Sequence, residues 1–277
     1  MMISSKLTLP ASVTPQARPA VYWTLADMLV LAKRQLMHIP RSPQELVTAT
    51  LQPVLVLVLF RYVFGGAIAV PPGTSYVNYL VAGFLVLAGL FGAGATGIGL
   101  ATDLQRGLVD RFRSLPMAKS AVLTGRTLAD LMRSTCILLF VLAVGLLIGF
   151  RPEGTILNWG AALGLILLID FLFIWFSALL GLLLSSLEAV QEAWWICTLV
   201  LLFASNAFVP TITMPVWLRV FAEHQPLSVF ITAVRGLLLN QPDATAILQA
   251  IAWCVGLLVL IIPLAIWAYG RRTVRSE

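Results

Sequence analysis

The sequence predicts an all-α integral membrane protein with six transmembrane helices, on three observations. The 277 residues are 60% hydrophobic and 11% charged, where a soluble domain is about 45–50% apolar and about 25% charged. Apolar runs of about twenty residues, the length that crosses a hydrocarbon core, recur along the chain. The basic residues sit between those runs and are shared unevenly between alternate connections. The net charge of +6 does not gather on one face, so nucleic acid is not an expected partner.

Residues 1–20 lack the apolar core of a signal peptide and read as a flexible cytoplasmic tail. In "VYWTLADMLVLAKRQLMHIP" the apolar Leu25, Met28, Leu29, Ala32 and Leu36 recur at helical spacing. With Asp27, Lys33 and Arg34 the segment carries too much charge to span, so it is expected to lie along the inner membrane surface. Pro40 and Pro43 then turn the chain into the bilayer. The spans are expected at about 46–64, 77–100, 127–149, 157–184, 193–209 and 246–269, inside one transmembrane domain of 21–272 that a short cytoplasmic tail, 273–277, follows. An even number of spans puts both termini on one side. Fourteen Lys and Arg residues fall on that side, and four (Arg61, Arg151, Arg219 and Arg235) on the other, which places the termini in the cytoplasm.

Between the second and third spans lies a charged island, "LATDLQRGLVDRFRSLPMAKSAVLTGR". Leu104, Leu108, Phe112 and Leu115 form an apolar stripe, Asp103, Arg106, Asp110 and Arg113 form another, and Pro116 ends the pattern. That is a short amphipathic cytoplasmic helix. A loop that only enforces topology needs charge but no periodic stripe, so a docking surface for a cytoplasmic partner is favoured. Before the last span, 206–244 is too long for a hairpin loop and too apolar for solvent. It breaks at Pro210, Pro215, Pro226 and Pro242. Its helical pieces, about 216–223 and 227–239, measure roughly 12 and 20 Å at 1.5 Å per residue. They are expected as short re-entrant helices in the outer leaflet, buried against protein.

Asp170 stands mid-span in "LGLILLIDFLFIWF" and must face protein or a wet cavity. It reads either as a cavity or proton-relay residue or as an acid bonded to a neighbouring helix. Gly89, Ala93, Gly97 and Ala101 put a small residue at every fourth position of span two, which permits close helix packing. Trp194 and Trp195 read as interface anchors. Cys136, Cys197 and Cys254 fall in different apolar runs without metal spacing and read as buried free thiols. There is no GxxxxGK[ST] phosphate loop, no HExxH and no GxSxG. No cofactor is therefore expected on this chain, and no metal or catalytic residue.

Three segments in order resemble the permease subunits of ABC-2 type exporters, in particular their daunorubicin-resistance branch: "WTLADMLVLAKRQL", "ATDLQRGLVDRFRSLPMAKSAVLTGRTLADLMRS" and "NAFVPTITMPVWLRVFAEHQPLSVFITAVRGLL". The last is the most specific, with its Pro, "MPVWL", "HQPLS" and "RGLL". The resemblance implies a transport subunit, not an enzyme, in the cytoplasmic membrane of a prokaryote. Two separate ATPase subunits would carry ATP and Mg, and a second permease copy or a homologue would complete the path. The island would be the coupling helix, with Asp103, Arg106, Asp110, Arg111, Phe112, Arg113, Leu115 and Pro116 docking the ATPase. Asp170, Phe208, Pro210, His224, Pro226 and Arg235 are candidates for the substrate path or gate. The substrate would be drug-like or lipid-like and amphipathic. A polysaccharide or glycolipid exporter is the alternative within the family; outside it stand an ion-coupled carrier and an intramembrane enzyme built on Asp170, Glu223 and His224.

Overall fold

The computed structural model describes residues 43–68, 70, 73–105 and 119–272. The expected tails, the surface helix with Asp27, Lys33 and Arg34, and Arg106, Asp110, Arg111, Phe112, Arg113, Leu115 and Pro116 of the island lie outside them. No strand occurs among the described residues. The helices are α1 (Pro43–Leu59), continued by a π turn at Phe60–Phe64, α2 (Tyr76–Gln105), α3 (Lys119–Leu147), α4 (Ile156–Leu183) and α5 (Leu187–Phe203). A 3-10 turn at Thr211–Thr213 precedes α6 (Val216–His224), α7 (Pro226–Leu238) and α8 (Ala244–Arg272).

Four of these, α2, α3, α4 and α8, are long and apolar enough to cross a membrane. The 17 residues of α1 and of α5 fall short of the ~20 that a crossing needs. Local chemistry explains where the helices begin and end. Ser75 accepts from the Asn78 amide at 3.2 Å and caps α2. Thr155 does the same for α4 and Ser186 for α5. The Ser186 cap starts α5 at Leu187, six residues before the expected 193, despite Glu188 and Glu192. A carboxylate in the first turn of a helix is stabilised by the dipole, so Glu188, which stands in that turn, favours a helix start there. α3 ends on Gly149, whose φ of 104° only glycine adopts easily, with the Phe150 amide bonded to the Gly145 carbonyl at 2.9 Å. α7 ends on Asn240 at φ 57°, a residue type that tolerates the left-handed region.

α2 is the central helix. It is buried along most of its length and makes its most extensive contact with α4, then with α3, α5 and α7. α8 packs on α4 and α7 with one face and leaves the other open, with Val259 65% and Leu260 66% exposed. Apolar exposure of that extent on a helix of this length is what a lipid-facing surface requires. Polar contacts sort the helix ends. Asn78 and Arg151 exchange two bonds, at 3.1 and 2.9 Å, and the amides of Glu153 and Gly154 reach the Leu238 carbonyl at 3.1 and 3.0 Å. The start of α2, the α3–α4 connection and the end of α7 therefore share one end of the bundle. Asp103, Arg126, Leu183 and Arg271 lie at the other.

The two short helices differ from each other. α7 is buried against α2, α4 and α8 as expected. α6 is not. Among its described contacts are only α7 and the 3-10 turn, and Val216 and Trp217 are 78% and 74% exposed. Its one buried residue is Ala222, so it lies on the surface of the fold.

Candidate functional site

The seam between α2 and α4 is built by side chains that are missing or small. Gly97 rests on Ser177: its amide donates to Ser177 Oγ at 3.0 Å, and that hydroxyl donates to the Gly94 carbonyl at 3.3 Å. Gly181 meets the backbone of Gly97 closely enough that a Cβ on either would overlap. Gly89 lies against the Asp170 carboxyl group. Ala93 and Ala101 of the same stripe are 1% and 5% exposed. Gly94 sits under the indole of Trp194, which is only 7% exposed and also faces Phe176 at 6.1 Å. Trp194 is thus a packing residue and not the interface anchor its position suggested, because the missing side chain of Gly94 leaves room for it; Trp195 is exposed.

Asp170 is fully buried. Ser134 of α3 donates to its Oδ2 at 2.8 Å, while Oδ1 has no partner. Of the two sequence readings, the geometry has the acid bonded to a neighbouring helix. It ties α3 and α4 together over the gap left by Gly89.

At the end nearer the island, Asp103 closes an ion cluster that the stripe analysis did not reveal. Arg126 bonds Asp103, and Asp130 lies 3.9 Å from Arg126 and 3.6 Å from Arg133. Asp130 is buried. The cluster joins the last turn of α2 to the second turn of α3, so it clamps the two ends of the island together. Asp103 is engaged within the chain, whereas the sequence offered it as a contact for a partner. The signal for the cluster was available: Arg126, Asp130 and Arg133 recur at i, i+4 and i+7.

The opposite end is closed by the "HQPLS" segment. Gln225 is buried and donates to the Ala204 carbonyl, the frayed end of α5. Ser228 accepts from the Asn206 amide at 3.2 Å. Pro226 stands in the first turn of α7, where its missing N–H costs nothing. Arg235, half-buried, lies with Cζ 3.6 Å from the Tyr79 ring centre and donates to the carbonyls of Tyr79 (3.3 Å) and Asn206 (3.0 Å). Among the described residues no carboxylate is within ion-pair distance of it; carbonyls and an aromatic face hold the cation instead. Phe208 is buried and stacked on Phe60 at 3.9 Å, joining the π turn after α1 to the loop 204–210. Pro210 begins the 3-10 turn.

His224 is exposed, with Nδ1 2.8 Å from the Val220 carbonyl of its own helix. Glu223 bonds Arg219 at 2.7 Å and Thr211 at 3.1 Å. The hydrogen bond from Arg219 holds the Glu223 carboxyl below its ordinary range. Asp170 is buried among α2, α3 and α4, so these three residues do not form one site. Among the described residues no group of His, Cys, Asp and Glu could hold a metal ion.

This arrangement is a helical bundle braced at both ends, without a catalytic constellation among the described residues. The family model described as ABC-2 type transporter matches residues 26–239. The chain belongs to the ABC-2 type transporter family. Its similarity to named relatives runs nearly end to end. It is 32% identical to the daunorubicin resistance ABC transporter permease protein DrrB1 of Streptomyces coeruleorubidus, over 92% of this chain and 90% of that one. It is 26% identical to the probable doxorubicin resistance ABC transporter permease protein DrrC of Mycobacterium tuberculosis, over 95% of both chains. The chain is the membrane permease subunit of an ABC exporter and works with an ATP-binding subunit.

Proposed function

We propose that the permease moves a drug-like amphipathic substrate out across the cytoplasmic membrane of a prokaryote, with both termini in the cytoplasm. The near full-length likeness to permeases named for daunorubicin and doxorubicin resistance carries the substrate class. Six crossings account for the helix order. α1 with its π turn covers 22 residues, Pro43 to Phe64, enough for ~30 Å at 1.5 Å per residue. α5 crosses together with the loop 204–210 behind it. That Leu104 and Arg271 line one groove supports an even number of crossings between the island and the carboxy terminus.

Two ATPase subunits, binding ATP and Mg, dock on the island of two permease copies, or of this chain and a homologue. The apolar stripe that includes Phe112 and Leu115 seats in a groove of the ATPase, and Arg106, Asp110, Arg111 and Arg113 set the register, with Pro116 ending the contact. The surface helix with Asp27, Lys33 and Arg34 adds docking contacts. The Asp103–Arg126–Asp130 cluster makes the transmission stiff: closure of the ATPases displaces the island, and the clamp passes that displacement to α2 and α3 together. α2 carries it to α4 through the Gly97–Ser177 seam.

The test is co-expression with the ATP-binding subunit. Phe112→Asp combined with Leu115→Asp is expected to abolish co-purification and drug export while leaving the permease in the membrane. Unchanged co-purification and export would remove the docking assignment. Export by the purified chain without any ATPase would favour an ion-coupled carrier.

A further inference from the structure

A groove of about 710 Å³ opens at the island end of the bundle between α2, α4 and α8. Its floor is small, Ala101, Gly181 and Ala268, and its wall is apolar, with Leu183 48% exposed. Its mouth is polar: Gln105 and Ser185 stand there, both exposed, with Arg271. The Arg271 guanidinium carbon lies 4.6 Å from the Trp267 ring centre, one helical turn away, and Trp267 is 54% exposed. That side of the groove is continuous with the open apolar face of α8.

The geometry points to a binding site for an anionic phospholipid of the inner leaflet. One acyl chain would lie on the Leu183 wall over the small floor, and the phosphate would meet Arg271, with Gln105 and Ser185 as hydrogen-bond donors. Three features select this occupant. The stacked indole and guanidinium sit at the end of a long apolar helix, where a bilayer has its headgroups. A basic group at the mouth of a groove between helices is complementary to a phosphate. The lining is apolar along one side and polar at one end, the profile of a lipid and not of a soluble anion. Two acids at this end are already engaged: Asp103 is taken up by Arg126, and Asp130 lies between Arg126 and Arg133. Lipid here would fill the joint between α2, α4 and α8 and keep the end nearest the island packed as α2 moves.

The inference rests on the reading of α8 as a spanning helix. Carbonate extraction tests that separately: release of the chain from the membrane would overturn both. The full chain is purified from nanodiscs of equal phosphatidylglycerol and phosphatidylcholine, and retained lipid is measured by native mass spectrometry. Wild type is expected to retain phosphatidylglycerol preferentially. Arg271→Gln should lower that retention about fivefold, the share of one basic residue near an anionic surface. Arg271→Lys should keep most of it, and Arg219→Gln at the far end should leave it unchanged. Equal retention of the two lipids by wild type overturns the proposal whatever the variants do. So does undiminished phosphatidylglycerol in Arg271→Gln, or its displacement by millimolar inorganic phosphate alone.

Discussion

Replacing Gly97 with alanine places a methyl group on the carbonyl oxygen of Ser177, with Ser177 Oγ at 2.7 Å and its carbonyl carbon at 3.0 Å. Backbone cannot rotate away, so α2 and α4 must separate. Overpacking costs about 1–3 kcal/mol. The displaced Gly97–Ser177 hydrogen bond adds about 0.6 kcal/mol, the average between membrane helices. At ~2–4 °C per kcal/mol for a chain of this size the melting temperature should fall by about 5–10 °C. Gly89 makes the contrast. A methyl group there meets only the Asp170 carboxyl group, which is side chain. Gly89→Ala should destabilise alone, and Asp170→Ala should recover most of that loss. Ser177→Ala should not rescue Gly97→Ala, because the obstructing oxygen stays. Cys136 is exposed and Cys197 half-buried, against the expectation of three buried thiols; with both replaced by serine, a thiol-reactive dye in detergent reads both variants, since Cys254 is 0% exposed and becomes reactive on unfolding. If Ser177→Ala rescues Gly97→Ala, or if Gly89→Ala and Asp170→Ala are simply additive, the assignment of backbone and side-chain contacts across the seam is wrong.

Two further predictions concern charges. Arg126→Asp should uncouple ATP hydrolysis from export at unchanged co-purification with the ATPase, and Asp103→Arg in the same chain should restore part of the coupling; coupling that stays normal in the single variant would show that the clamp transmits nothing. Glu223→Gln should leave stability at neutral pH nearly unchanged, because exposed ion pairs contribute little. The Glu223 carboxyl is held below its ordinary range, so its small contribution is complete above that range and disappears as pH falls through the lowered folded value; a variant whose melting curve diverges from wild type only above neutral pH would refute that sign.

The expected spans matched helices to within a few residues where a boundary coincided with a cap or a glycine, as at Thr155 and Gly149. They missed the start of α5 because Glu188 and Glu192 were weighed as charges to be kept from lipid, when Glu188, in the first turn, favours the helix. The glycine stripe was legible, but its partners were not: nothing in the order of residues shows that Gly97 meets Ser177, Gly89 meets Asp170 and Gly94 meets Trp194. Asp170 itself stood out by its cost in a bilayer, but the sequence did not show that Ser134 is its hydrogen-bond partner. Arg235 was marked as an oddity among apolar residues, while Tyr79 and Asn206, which hold it, were unremarkable in their own runs.

Sequence by itself determined the solvent this protein lives in, its helical class and its family, because hydropathy, helix caps and the short segments that resemble the family are read over short stretches of chain and need no partner. Tertiary structure decided which small residues touch what, that Asp103 is committed to Arg126, that the "HQPLS" segment seals the end of α5, and that Trp267 and Arg271 flank a groove. Those contacts join separate elements, Gly97 and Ser177 across 80 positions and Asp103 and Arg126 across 23, and a contact across helices depends on how two surfaces meet.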